Sequence, residues 1–290
     1  MNIPSVLKVI PDPIQTLKMD LRLCGIRPNR LKGQNYLISK RIRDQIVDLA
    51  KLDEQDSLLE IGSGTGILTW ALAARAGEIL AVEREESMAR LLKTRFVGYP
   101  KVSILHDDGL KALKAFAAKT ESKPRKIVSN LPYSISSPVL MTLAAFHNLY
   151  PRGVLLLQRE VVDRVIAKPG DTDRSALSII VQARFNVSRA LTVKSNQFWP
   201  VPAVESALLL LESKPYELSV PWEEFVKTVF QLFTHRRKTL QNNLKKIMGH
   251  VDSAQLLETV GIGFDIRAQQ LTVEQIMKVV EIKYNLEKEK

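Results

Sequence analysis

Ser57-Leu58-Leu59-Glu60-Ile61 runs directly into Gly62-Ser63-Gly64-Thr65-Gly66, and Ile67 to Ala76 then reads as a helix ended near Gly77. A short apolar run, stopped by glycines and followed by a helix, is the unit that opens a parallel sheet. The same alternation continues on both sides. Upstream, Ile42, Ile46, Val47, Leu49 and Ala50 have helical spacing from Ser39 onward. Downstream come a strand at Ile79 to Val82 closed by Glu83, a helix at Ser87 to Phe96, and a strand at Val102 to Leu105 followed by Asp107-Asp108. Lys126 to Ser129 is a fourth strand ending at Asn130, Pro138 to Phe146 is helical, and Gly153 to Leu157 is a fifth strand. Strands alternating with helices predict an α/β domain whose parallel sheet is covered on both faces. Ligands of such sheets bind beyond the carboxyl ends of the strands. Glu60, the glycine run, Glu83, Asp108 and Asn130 all fall there.

The remainder has a different texture. Ser178 to Phe185 and Ala207 to Leu211 read as further strands, and Pro215 and Pro221 bracket a linker. From Trp222 onward the pattern is helical, with Trp222, Phe225, Val226, Val229, Phe230 and Phe233 expected on one face. Ser253 and Thr272 are candidate helix caps, and Thr272 with Gln275 has capping-box spacing. Three segments result: an N-terminal extension over 1–32 with one short helix at Ile14 to Leu23, an α/β domain over 33–216, and a smaller all-helical C-terminal domain over 217–290. The Glu287-Lys288-Glu289-Lys290 tail is expected to fray.

The chain has 290 residues, 45% of them hydrophobic, and a net charge of +11. That apolar share supports a packed core rather than disorder, and the charge favours an acidic partner, nucleic acid first. The single cysteine, Cys24, excludes an intramolecular disulfide and a multi-cysteine zinc site. His106, His147, His235 and His250 show no metal-ligand spacing, so no metal is expected. No apolar run approaches the roughly 20 residues of a membrane span, and the N-terminus lacks a secretory pattern. A cytoplasmic protein is expected.

The glycines, Gly62 and Gly64 among them, let a ligand approach the backbone. Glu83, about twenty residues on, can accept from both ribose hydroxyls of a nucleoside cofactor. A dinucleotide loop reads G-x-G-x-x-G, and here the third glycine comes one residue early. The spacing points to S-adenosylmethionine, which has no pyrophosphate to cradle. After the third strand, Asp107 or Asp108 can accept from the adenine amino group of that cofactor.

Asn130-Leu131-Pro132-Tyr133 carries the chemistry. The lone pair of an adenine N6 is delocalised into the ring, so a methyltransferase must localise it and aim it. Two acceptors on the N6 hydrogens do so: the Asn130 side-chain carbonyl, and the backbone carbonyl of Leu131 or Pro132. Proline restricts its neighbour and fixes where those carbonyls point. Tyr133 offers a flat face for the base. Phe198, in Phe198-Trp199-Pro200-Val201-Pro202, can close over a flipped base from the other side. His235-Arg236-Arg237-Lys238 is expected to continue the preceding helix, and with Lys245 and Lys246 it can track phosphates.

Taken in order, these pieces resemble the rRNA adenine N6-dimethyltransferase family, closest to its small-subunit (16S) branch. The resemblance runs from about Gly33 to about Gln275. It rests on Gly33-Gln34-Asn35-Tyr36-Leu37, the Glu60 to Gly66 loop, Asn130 to Tyr133, Phe198 to Ser206, Thr234 to Leu240, and Arg267-Ala268 to Leu271. It implies a Rossmann-like class I methyltransferase domain with a small helical C-terminal domain. It also implies transfer of two methyls to each of two adjacent adenosines near the 3′ end of small-subunit rRNA, by a monomer acting on a 30S assembly intermediate. By resemblance, Asn35, Leu37, Gly62, Glu83, Asp108 and Asn130 contact S-adenosylmethionine, while Asn130, Pro132, Tyr133 and Phe198 hold the target adenine. Asp108 is favoured over Asp107 because Gly109 follows it. The chain departs from the family in its Gly62-Ser63-Gly64 start, in Tyr36 for a usual Phe, and in Glu205 for a usual Asp. The alternatives are a macrolide-resistance methyltransferase acting on 23S rRNA and a non-catalytic assembly or transcription factor of the same fold.

Overall fold

A computed structural model describes residues 13–28, 34–118, 125–215, 218–248 and 253–288. Gly33, His250, residues 1–12 and 29–32 of the lead-in, and the last two residues of the tail lie outside them. In chain order the strands are β1 (Tyr36–Leu37), β2 (Ser57–Ile61), β3 (Glu78–Glu83), β4 (Val102–His106), β5 (Arg125–Asn130), β6 (Arg152–Gln158), β7 (Phe185–Val193), β8 (Phe198–Trp199) and β9 (Ser206–Ser213). The helices are α1 (Pro13–Leu23), α2 (Lys40–Ala50), α3 (Ile67–Ala73), α4 (Glu86–Arg95), α5 (Gly109–Ala118), α6 (Ser136–Ala145), α7 (Arg159–Ile166), α8 (Ala176–Gln182), α9 (Trp222–Phe233), α10 (Leu240–Met248), α11 (Ser253–Val260) and α12 (Val273–Lys288).

Seven strands form one sheet in the order β4-β3-β2-β5-β6-β9-β7. The pairs from β4 to β6 are parallel, and β9 runs antiparallel to both of its neighbours. Side chains alternate between the faces of a strand. Leu58 therefore joins Ile42, Ile46 and Leu72 on one side, while Leu59 joins Leu113, Leu140 and Ile180 on the other. All five residues of β2 are buried, as a strand covered by helices on both faces requires. The strand order reverses between β2 and β5, which opens a crevice at their carboxyl ends. The small sheet β1-β8 pairs Leu37 with Phe198.

The C-terminal helices share the sheet's core. One buried cluster runs from Leu59 through Phe225, Leu244 and Leu257 to Val280. Buried Arg174 adds polar stitches: Nη1 donates to the Ala167 carbonyl at 2.6 Å and Nη2 to the Leu271 carbonyl at 3.0 Å. The Thr272–Gln275 capping box forms, with Gln275 N donating to Thr272 Oγ1 at 3.2 Å and Thr272 N to Gln275 Oε1 at 2.9 Å.

Three expectations are corrected. Ser178 to Phe185 is not a strand: Ala176 to Gln182 is helix α8, and the strand β7 starts only at Phe185. Ala176 to Val181 are all buried, and an apolar run buried all round shows neither helical nor strand period. What sets the helix is Ser175, whose N–H donates to Ser178 Oγ at 2.9 Å. Phe230 is 50% exposed, not on the buried face of α9. Phe225, Thr228, Val229 and Leu232 form that face instead, at the i, i+3, i+4, i+7 spacing that a helix aligns. The basic run 235–238 does not extend α9, which ends at Phe233; it forms the turn before α10. Helices α5 and α7 had no counterpart among the expected elements.

Candidate active site

The crevice collects residues from four strand ends and from the segment before α2. Gly62 N and Ser63 N both donate to the Val82 carbonyl, at 2.8 and 3.2 Å, which bends the chain off β2 toward β3. Gly62 has φ +75°, and a methyl group there would lie 3.0 Å from Pro132 Cδ. The glycine loop and the Asn130 motif therefore touch. Gly64 has φ +55°, and a methyl there would lie 3.2 Å from the Tyr36 ring. These two positions need glycine for conformation and for close approach.

Glu83 is buried at the tip of β3. Its Oε2 accepts from Gly64 N at 2.8 Å and its Oε1 from Glu85 N at 2.9 Å. Burial pushes its carboxyl up, against the pull of those amides. Each oxygen keeps a further lone pair for a ribose hydroxyl. Glu60, 1% exposed, accepts from Thr69 Oγ1 at 2.6 Å, and burial pushes its carboxyl up to about 7.

At the end of β4, Asp108 Oδ1 accepts from Leu110 N at 2.9 Å and from Lys111 N at 3.2 Å, capping α5. Asp107 Oδ1 accepts from Asp108 N at 2.8 Å, and its Oδ2 lies 3.4 Å from Lys111 Nζ. Asp108 thus keeps Oδ2 without a partner among the described residues, whereas both oxygens of Asp107 are engaged.

Asn130 Nδ2 donates to the Asn35 carbonyl at 3.2 Å. A carbonyl can only accept, so the amide nitrogen must face Asn35, and Oδ1 is left as an acceptor. The Pro132 carbonyl accepts from Ile135 N at 3.1 Å. The Leu131 carbonyl has no such partner among the described residues, so it has both lone pairs to offer against one on Pro132. The Tyr133 hydroxyl bonds Ser206 Oγ at 2.8 Å, which fixes the ring from β9; burial raises its pKa and that bond opposes the rise.

Phe198 is 1% exposed, packed with Leu37, Val193 and Leu208. It is near the site through β8, yet its ring is covered. The fit to a nucleoside cofactor rests on Asn35: its Oδ1 is a buried acceptor without a hydrogen-bond partner among the described residues. Asn35 offers an acceptor, Leu37 an apolar side chain, Gly62 and Gly64 close approach to the backbone, and Glu83 and Asp108 carboxylates at the ends of β3 and β4. Among the described residues, no group of three or more His, Cys, Asp or Glu could hold a metal.

Arg236, Arg237, Lys238, Lys245 and Lys246 are exposed, and none forms an ion pair among the described residues. Lys238 beside Lys246 lowers the latter's pKa, the mark of concentrated positive charge. Arg236 differs from the other four. Its Nη2 donates to the carbonyls of Thr172 and Arg174, the latter at 2.9 Å. Sequence reading did not find Thr69, Ser129 or Ser206. They brace Glu60, the Ile61 carbonyl and Tyr133, and lone serines and threonines carry no pattern.

The sequence model for "Ribosomal RNA adenine dimethylase" matches residues 27–285. The chain belongs to that family. It is therefore a methyltransferase of the rRNA adenine dimethyltransferase type, and the family implies S-adenosylmethionine as the methyl donor. The chain is 34% identical over 282 residues to the ribosomal RNA small subunit methyltransferase A of Lactiplantibacillus plantarum, spanning 94% of this chain and 95% of that one. It is 41% identical over 224 residues to the probable ribosomal RNA small subunit methyltransferase A of Thermococcus gammatolerans, covering 77% and 76% of the two chains. Among solved structures, a dimethyladenosine transferase from Plasmodium falciparum superposes with a TM-score of 0.77 at 25% identity, over 87% of this chain and 98% of that one. The 23S rRNA methyltransferase ErmE gives 0.67 at 24% identity, over 85% and 98%, a likeness of fold alone. The class I methyltransferase fold expected from the sequence is thereby found. No helix among the described residues is long and apolar enough to cross a membrane.

Proposed function

We propose that the chain dimethylates N6 of two adjacent adenosines near the 3′ end of small-subunit (16S) rRNA, acting as a cytoplasmic monomer on a 30S assembly intermediate. The observation that carries the N6 chemistry is the Asn130 amide, turned by Asn35 so that Oδ1 accepts beside the glycine loop. Support for the small subunit comes from the names of the relatives, which cover 77% and 94% of the chain.

Asn130 Oδ1 and the Leu131 carbonyl each accept one N6 hydrogen in the first transfer, and one of them holds the remaining hydrogen in the second, which draws the lone pair out of conjugation with the ring and aims it at the cofactor. Tyr133 stacks on the base with its hydroxyl pinned by Ser206. Pro132 packs the acceptor loop against Gly62. Phe198 becomes a second wall when the β8 segment uncovers it. Bound S-adenosylmethionine supplies an electrophilic methyl on a sulfonium. The residues act by positioning and by supporting charge that builds on N6, without a strong base.

In this reading, residues 33–216 do the chemistry and 217–290 engage RNA. Arg237, Lys238, Lys245 and Lys246 meet phosphates, and Arg236 does so while clasping the 172–174 loop. Mass-spectrometric mapping after incubation with unmodified small subunits tests the proposal: two neighbouring dimethyladenosines are expected. Methyl transfer only to large-subunit RNA would establish the macrolide-resistance alternative, and failure to bind the cofactor would establish the non-catalytic one.

A further inference from the structure

Arg95, the last residue of α4, joins two elements that the sequence keeps far apart. Its Nη1 donates to Asp20 Oδ2 at 2.7 Å and to the Thr65 carbonyl at 2.9 Å, and its Nη2 donates to Asp20 Oδ1. Asp20 lies on α1 and is 1% exposed. Thr65 lies inside the glycine loop. Leu17 and Leu21 of α1 pack on Met88 of α4, with Tyr36 against the same cluster, and the Tyr36 ring in turn lies over Gly64.

The Thr65–Gly66 peptide unit is held on both sides. Its carbonyl accepts from Arg95, and its N–H donates to the Ser63 carbonyl at 2.9 Å. It is flanked by Gly64 at φ +55° and Gly66 at φ +82°. Glycine visits both signs of φ readily, so the loop's own sequence does not lock this peptide; the guanidinium does. A bidentate carboxylate fixes the plane of that guanidinium, which a lysine ammonium would not provide.

We infer that Asp20 and Arg95 are positioning residues for S-adenosylmethionine, through which the N-terminal helix sets the orientation of the Thr65–Gly66 peptide in the cofactor loop. The inference rests on the cofactor reading proposed above. It gives the extension a task in binding rather than in folding alone.

The test uses the full chain with Asp20→Asn, Arg95→Lys and Asp20→Glu. Val280→Ala in α12 serves as a destabilised control far from the loop. Calorimetry with S-adenosylhomocysteine should show Kd raised about tenfold in Asp20→Asn and Arg95→Lys, about 1.4 kcal/mol, with partial recovery in Asp20→Glu and no change in Val280→Ala. KM for S-adenosylmethionine should rise while kcat at saturating cofactor stays within about twofold. In the ligand-free chain, exchange of the Gly66 amide should quicken in the two impaired variants. Affinity and exchange matching those of Val280→Ala would overturn the inference. Absence of binding by the unaltered chain would sink the cofactor reading instead, and Gly66 exchange would still decide whether the pin exists.

Discussion

The Asn130 amide is held by its nitrogen, so its oxygen is the atom left to meet a base. Asn130→Ala removes that acceptor and should lower turnover by roughly 10²- to 10³-fold, the usual cost of one preorganised polar contact in a transition state. Thermal stability and RNA affinity should survive. Near-normal methyl transfer in the variant would refute the role. Glu60 gives a second residue-scale expectation. Its carboxyl titrates at 4.5 when unperturbed and at about 7 in the fold, so between those values the folded chain holds a proton that the unfolded chain has released. The contribution is fully present below about 4.5 and is lost as pH rises through about 7, a span worth roughly 3 kcal/mol at most. Glu60→Gln stays neutral and keeps an acceptor for Thr69. Urea titrations from pH 4.5 to 8 should therefore show wild type losing stability relative to this variant across that window, with a constant difference above it. A constant difference throughout would mean that Glu60 titrates normally.

At the scale of elements, legibility depended on whether a segment's period survives its surroundings. β2, β3 and β5 were legible because buried parallel strands read as apolar runs between glycines and helices. α8 was not, since Ala176 to Val181 are buried all round and only Ser175 marks the start. β7 was missed for the opposite reason: its middle is mostly exposed and mixes polar with apolar residues. The Asp20–Arg95 pair spans 75 residues, a separation at which no local pattern links two charges. α5 meets β2 through Gly109, where a methyl group would lie 2.4 Å from Ile61 Cγ2. Gly109→Ala should therefore cost about 1–3 kcal/mol through overpacking, read as a lower urea midpoint. The Asp108 carboxylate, next in the chain, should shift with it. An unchanged midpoint would show that α5 can slide without cost.

Across the whole molecule, charge and core tell different stories about the C-terminal helices. The core runs without a break from Leu59 to Val280, whereas Arg236, Arg237, Lys238, Lys245 and Lys246, exposed and without an ion pair among the described residues, lie together on one turn and one helix. The composition pointed to an acidic partner but could not show which cations are also structural. Arg236 is, through the Thr172 and Arg174 carbonyls. Replacing Arg237, Lys238, Lys245 and Lys246 with Ala should weaken RNA binding and flatten its salt dependence by up to about 0.7–0.9 per lost phosphate contact in log K against log salt. Arg236→Ala should in addition lower the melting temperature. An unchanged salt slope in the fourfold variant would place the RNA on another face.

The contact from Asn130 to Asn35 has a thermodynamic corollary. In the proposed reading Asn35 meets the cofactor and Asn130 meets both cofactor and base, so ordering either ligand restrains the other's site. Coupling of this kind is reciprocal: whatever factor the cofactor adds to RNA affinity, RNA must add to cofactor affinity. Calorimetry of S-adenosylhomocysteine with and without bound small subunits should return the same ratio as RNA binding measured with and without S-adenosylhomocysteine. Asn130→Ala should drive that ratio toward one. The enzyme would then bind cofactor and RNA cooperatively, through a single amide.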